Sequence, residues 1–249
     1  MEAVTRGAAD NHPHSRQGRH SAAQARRAVG SATVSTVRTP PRRLADQFWF
    51  AAHNDYGQLR LFRSALEYGL AAALLAELYG EGRVTFTGRH VQVITTLPPH
   101  DLVQRKVLNR ITAEGHTATQ VWLEFFAATA YDQVATRMEQ FGLLAQQKTG
   151  LLRRRTTYLP TDMNTAAWSW ARLSVRCRKG QDLTPFDRAL AGLALATGLG
   201  GHLLDGAPNT ATEFAHQQVQ QLPVPLRDLL ADLRTIVDRA VLSHRTIKR

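Results

Sequence analysis

Between Phe62 and Leu78 a large apolar residue returns at every fourth position: Phe62, Leu66, Leu70, Leu74 and Leu78. Arg60, Arg63, Glu67 and Glu77 fall off that line. Residues four apart share one face of an α-helix, so the spacing predicts a single buried helix that ends at Gly80. Such a helix needs other elements to cover it, and the chain from Leu44 onward supplies mostly helices. One is predicted from Pro98-Pro99 to about Glu114, stopped by Gly115. Another runs from Thr119 to Phe141, with Trp122, Phe126, Ala130, Val134 and Met138 in line and Gly142 as its C′ residue. A helix over about 164–177 follows. Thr184-Pro185-Phe186-Asp187 offers a Thr cap, a Pro in the first turn and an acid beside it, and so opens a helix through Leu195. A Gln-rich helix is expected from Pro208 to about Gln221. The last follows Pro223 and Pro225, with Leu226, Leu229, Leu233, Ile236 and Val237 at core spacing.

Two segments alternate like strands instead. Residues 83–87 and 90–94 flank Gly88-Arg89, a two-residue hairpin turn. Residues 143–158 read as a second hairpin, turning at Lys148-Thr149-Gly150 and carrying Arg153, Arg154 and Arg155 on its return strand. No internal repeat is found. The fold class expected is mainly α: a single helical domain with two short β-hairpins.

Charge separates this part from what precedes it. The 249-residue chain has a formal charge of +11, and residues 1–43 hold eight arginines against Glu2 and Asp10. This segment has no aromatic residue and ends in Pro40-Pro41-Arg42-Arg43. It cannot bury enough apolar surface to offset its chain entropy, so residues 1–43 are expected to be a disordered basic tail and 44–249 the helical domain. The tail is either an electrostatic tether to anionic lipid or nucleic acid, or an extension without a role. It contains no apolar signal-peptide core. The longest uncharged stretch, Ala189 to Gly201, is broken by Thr197 and four glycines and falls short of the ~20 apolar residues of a spanning helix. The expected location is cytoplasmic, peripheral on the inner face of the membrane.

Motifs that would carry catalysis are missing. There is no HExxH, CxxC, P-loop or GxSxG elbow. Gly198-Leu199-Gly200-Gly201 follows an apolar helix rather than a strand, and is expected to be a helix-to-loop break. His100-Asp101 stands at a helix start, where Asp101 favours the N-terminal dipole. Cys177 lies between Arg176 and Arg178, but no base accompanies it, so a partly buried structural cysteine is expected. No enzyme activity, cofactor or metal is implied. The basic residues say more. Arg153, Arg154 and Arg155 follow Leu151-Leu152 on the hairpin, an arrangement suited to an anionic membrane surface in which apolar tips insert and guanidinium groups bind phosphate. Arg172, Arg176 and Lys179 fall at helical spacing and extend that patch, unless they form an ordinary solvated face. Helix, turn, helix and basic hairpin is also the order of a winged-helix DNA-binding protein, the competing reading. Its groove-entering helix would be Thr119 to Phe141, with Glu124, Asp132 and Glu139 against Arg137 alone. Phosphate repels such a helix, which ranks nucleic acid below lipid as a partner.

The segment Tyr68-Gly-Leu-Ala-Ala-Ala-Leu-Leu-Ala-Glu-Leu-Tyr-Gly-Glu-Gly-Arg-Val resembles the first core helix and strand of the Golgi phosphoprotein 3 family, in the manner of its bacterial, actinobacterial-type members. Met138-Glu-Gln-Phe-Gly-Leu-Leu resembles the family's helix end before a hairpin, Arg155-Thr-Thr-Tyr-Leu-Pro its return strand, and Thr184 to Leu204 a late apolar helix. The resemblance runs from about Leu44 to the C-terminus. It implies helices around a central bundle, a protruding hairpin, no catalysis, and peripheral membrane binding through phosphatidylinositol 4-phosphate. The implied headgroup site has a tryptophan and three arginines, and the corresponding positions here are Phe62, Ala71 and the neighbourhood of Ala128 and Tyr131. The lipid-binding residues expected are therefore Phe62, Arg137, Arg153, Arg154 and Arg155. The 143–158 hairpin is also a candidate for protein partners or self-association.

Overall fold

The computed structural model describes residues 42–115, 118–149 and 155–247. The expected tail, apart from Arg42 and Arg43, lies outside the described residues, as do Arg153 and Arg154. Arg42 and Arg43, expected as the end of the tail, are packed on the domain. Arg42 Nη2 donates to Ser169 Oγ at 2.7 Å, and Arg43 Nη1 lies 3.0 Å from Asp101 Oδ2.

The helix read from the every-fourth-residue pattern is α2, after a first helix, α1 (Leu44–Ala52), and it spans Arg63–Gly80. Leu66, Leu70, Leu74 and Leu78 are fully buried, but Phe62 is the residue before the helix and is 57% exposed. The spacing carried one position too far: an extended backbone at Phe62 (φ −61°, ψ 142°) turns its side chain off the helical stripe. All nine residues of α1 are buried. It crosses α2 at Gly69, where a Cβ would come within 2.3 Å of Phe48 Cε1. An alanine there would have to displace the buried Phe48 ring.

Helix α3 (Leu102–Glu114) begins later than the two prolines suggested, because Asp101 is its N-cap and accepts from Gln104 N at 2.9 Å. Helix α4 (Thr119–Gln140) runs along α2 and ends at Gly142, whose φ of 69° suits a C′ glycine. Then come α5 (Met163–Arg178), α6 (Pro185–Ala196), α7 (Gly200–Leu203), α8 (Asn209–Gln220) and α9 (Val224–Ile247). The glycine cluster was expected to leave the helix for a loop. It does so at Gly198 (φ 80°), but Gly200–Leu203 then form a short helix of their own. Thr184 caps α6 as expected, its Oγ1 accepting from Asp187 N at 3.2 Å. Helix α2 is the centre of the bundle, touched by α1, α3, α4, α6 and α9.

The first hairpin pairs β1 (Val84–Thr87) with β2 (His90–Val93), Thr87 opposite His90. Gly88 and Arg89 both have positive φ (51° and 73°), as a type I′ turn requires. A non-glycine residue is rare there. Arg89 is held by Asp232 of α9, whose Oδ1 lies 3.2 Å from Arg89 Nε. The second hairpin pairs β3 (Leu144–Thr149) with β4 (Arg155–Pro160) in the register Gln146 opposite Tyr158. Among the described residues no helix is long and apolar enough to cross a membrane.

Candidate functional site

The sequence-predicted cations separate in space. Arg137 is interior, not a surface contact: it is 3% exposed, and its guanidinium is shared by three carboxylates. Arg137 Nη2 reaches Asp46 Oδ1 of α1, while Nη1 lies 3.2 Å from Asp101 Oδ1 and 3.7 Å from Glu77 Oε2. Burial works against the Arg137 charge, but Glu77, Asp46 and Asp101 outweigh it and hold its pKa above the ordinary value. Glu77, which the spacing set off the apolar line of α2, has a side chain only 8% exposed beneath α1. Its Oε1 accepts from Ala45 N at 2.8 Å, satisfying an otherwise open N–H in the first turn of α1. Gln104 donates to its other oxygen. This cluster ties α1, α2, α3 and α4 together and leaves Arg137 unavailable to a lipid.

Arg172 is likewise committed, to the fully buried Asp187, and Arg176 Nη1 donates to the Asp182 carbonyl at 2.8 Å. Neither extends a free basic patch. Arg155 opens β4. Cys177 is buried, and burial first, then Asp187, pushes its thiol up to about 11. It is an inert packing residue, as expected.

The site with the most chemistry is one the sequence did not single out. It forms where the segment after α1 folds back on β4. Asn54 Oδ1 accepts from Tyr56 N (3.0 Å) and Gln58 N (2.9 Å), closing a tight turn. Gly57 (φ 71°) lies so close to β4 that a Cβ would stand 2.9 Å from both Thr157 Cγ2 and the Tyr158 carbonyl oxygen. Only glycine permits that approach. The result is a recess of about 450 Å³ walled by His53, Tyr56, Arg63, Tyr131, Thr157 and Tyr158. Behind it the rings of Trp49 and His53 stack at 3.7 Å, with Tyr131 and Tyr158 set at 6.2 Å from each other. The Arg63 guanidinium lies 3.6 Å from the centre of the Tyr131 ring, and its Nε is 2.6 Å from Glu67 Oε1. A cation thus covers Tyr131, one of the positions where the resemblance implied an arginine. Of the other two, Ala71 is buried within α2 and Ala128 is exposed. Across Leu59, which walls both spaces, opens a larger cleft of about 820 Å³ between Phe62, the end of α6 and α9. Phe62 and the exposed Leu242 are among its lining residues.

The Golgi phosphoprotein 3 (GPP34) family model matches residues 44–240. The chain belongs to this family. No curated protein matches it. The position where the resemblance implied a tryptophan thus holds an exposed phenylalanine, in a cleft that Arg60 and Arg234 also line. Among the described residues no cluster of His, Cys, Asp and Glu could hold a metal ion. The signal for the recess was present as Asn54-Asp55-Tyr56-Gly57, a turn composition bounded by apolar runs and followed by Arg60 and Arg63.

His53 gives this Golgi phosphoprotein 3 domain a pH dependence. Burial lowers its pKa from the ordinary 6.5 to about 4, against the pull of the Trp49 carbonyl it bonds. The unfolded chain therefore takes up a proton at His53 where the folded chain does not. Stability is complete above pH 6.5, falls as the pH drops through that value, and levels off below about 4. At pH 5 the loss from this group is about 2 kcal/mol. Urea unfolding at pH 7.5 and 5 checks it, with His53→Asn as the reference that subtracts every other titrating group. An unchanged difference between the two proteins would show that His53 is not held neutral.

Proposed function

We propose that this chain is a non-catalytic peripheral module that binds anionic membrane lipid. The observation that carries the reading is the loop from His53 to Phe62, which exposes Tyr56 (78%) and Phe62 (57%), is followed directly by Arg63, and lies against β4 of the hairpin. Exposed aromatics beside a guanidinium suit an interface where rings enter the acyl boundary and cations meet phosphate. Phosphatidylinositol 4-phosphate is the headgroup that family membership suggests. With Ala71, Ala128 and Tyr131 in place of arginines, the reading extends to anionic lipid in general. The basic tail adds a long-range, salt-sensitive attraction. The hairpin is the proposed surface for self-association or protein partners, and the inner face of the membrane the proposed location. Against DNA stands α4, whose inner face packs on α2 while Asp132 and Glu139 face solvent.

The test is co-sedimentation with vesicles of phosphatidylcholine alone or mixed with phosphatidylglycerol, with a duplex DNA shift assay in parallel. Binding confined to the anionic vesicles supports the reading. Binding to DNA but not to vesicles overturns it. Phe62→Ala should weaken partitioning about tenfold, since inserting a half-exposed phenylalanine is worth about 1–2 kcal/mol. Equal partitioning of the variant would remove the Phe62 side of the loop from the contact.

A further inference from the structure

The cleft that Phe62 shares with α6 and α9 differs in character from the recess beside β4. Its α9 wall is made by Arg234, Val237, Asp238, Val241 and Leu242, the spacing of a single helical face. At 1.5 Å per residue that stripe runs about 12 Å, with Arg234 at one end and Leu242 at the other. Ala196, Thr197 and Val237 are the buried members of the lining. Thr197 brings no open polar group, because its Oγ1 donates to the Leu193 carbonyl at 2.8 Å. Leu59 and Leu61 of the loop and Leu195 of α6 add half-buried apolar surface. The inside of the cleft therefore offers contact to hydrocarbon and little to a hydrogen-bonding group.

Its charged residues are Arg60, Arg234 and Asp238, two cations against one anion. Arg60 is anchored in the loop, its Nε donating to the His53 carbonyl at 3.0 Å. Arg234 Nε lies 3.7 Å from Asp238 Oδ2, with the two side chains 60% and 65% exposed. Water weakens so open a pair and leaves Arg234 accessible to a second acceptor. These features separate the occupants. A polyhydroxylated ring would desolvate its hydroxyls against alkyl groups. Residues 1–41 of this chain carry six arginines against Glu2 and Asp10 and no aromatic residue, and would set cations against cations. An alkyl ammonium is repelled for the same reason. An alkyl chain that ends in a carboxylate suits both parts: the chain removes apolar surface from water, and the head meets a guanidinium. The volume of about 820 Å³ falls within the range of roughly 300–1,000 Å³ common to small-molecule sites.

We propose that this cleft binds a single-chain fatty acid, its carboxylate paired with Arg234 and its alkyl chain laid along Val237 and Val241 toward Leu242. Arg60 adds to the positive field of the cleft from the facing loop. The site works without a bilayer and does not depend on the membrane contact proposed above, although Phe62 borders both. No bond is made or broken.

The experiment uses the full chain at pH 7.5, without vesicles, and dodecanoate below the concentration at which it forms micelles. Equilibrium dialysis gives its affinity beside those of 1-dodecanol and dodecyltrimethylammonium, which share the chain and differ in the head. Methyl-labelled valine reports whether Val237 and Val241 are touched. The expected result is saturable one-to-one binding that shifts both valines, with the acid about fivefold tighter than the alcohol, the gain from one partly exposed ion pair. Arg234→Gln should make acid and alcohol bind alike and leave the alcohol unchanged. Leu242→Gln should weaken both. Both substituted side chains are more than half exposed, so neither change threatens the fold. An acid no tighter than the alcohol overturns the proposal, as does an ammonium that binds best. Binding that leaves both valines unmoved places the ligand elsewhere and overturns it too, and so does the absence of saturable binding. None of these results bears on the vesicle assay. Conversely, dodecanoate binding by a chain that ignores anionic vesicles would overturn the membrane reading and leave the cleft assignment standing.

Discussion

Replacing Arg137 by alanine is expected to cost about 3–5 kcal/mol of stability, because it leaves three carboxylates facing one another with no interior cation between them. Asp46, Glu77 and Asp101 would keep only Arg43, which lies at the edge and reaches Asp101. In a domain of this size the loss corresponds to a fall in Tm on the order of 10 °C. Arg137→Lys should recover only part of it, since a single ammonium cannot divide its donors among groups on three helices. Urea unfolding of the two variants beside the parent protein measures both effects. A loss under about 1 kcal/mol for the alanine variant would mean that the carboxylates neutralise themselves by taking up protons, and that the arginine contributes little.

The second large effect concerns binding rather than folding. Replacing Arg153, Arg154 and Arg155 together by alanine is expected to weaken partitioning to anionic vesicles by roughly 3 kcal/mol, somewhat over a hundredfold, at about 1 kcal/mol for each basic residue near such a surface. The loss should shrink as salt is raised, because exposed charges are screened. The measurement is best made on a chain lacking residues 1–41, so that the six arginines removed with them do not mask the change while Arg42 and Arg43 keep their contacts with Ser169 and Asp101. If the triple variant binds as well as its parent at low salt, the hairpin is not the contact, and the loop bearing Tyr56 and Phe62 carries the interaction alone.

These two arginine sets also mark where sequence reasoning succeeds and where it stops. Helix α2 was legible because half of its surface is apolar and the contrast repeats every turn. The cap at Thr184 and the turn at Gly88-Arg89 were legible because each is a local requirement met by neighbouring residues. Helix α1 has no such contrast: every side of it is covered, so there is no solvent face to set the period. Arg137 was misread for a related reason. Charge normally signals water, and the partner that cancels it here, Asp46, is 91 positions from Arg137. The recess was hidden in the same way, since His53, Tyr131 and Tyr158 come from three elements and become neighbours only after Gly57 lets the loop close on β4. Phe62 kept the right spacing on the wrong side of a helix start.

The first and last helices of the chain, α1 and α9, both pack on α2. During synthesis α2 therefore leaves the ribosome long before the helix that completes its cover. At about 5–20 residues per second the wait for α9 lasts on the order of 10 s or more. Over that interval Leu66, Leu70, Leu74 and Leu78 are present without their full lining, and Asp232 has not yet arrived to secure the strained Arg89 turn. A chain ending before residue 224 is therefore expected to leave the α9-facing side of α2 uncovered and to aggregate more readily than the full chain.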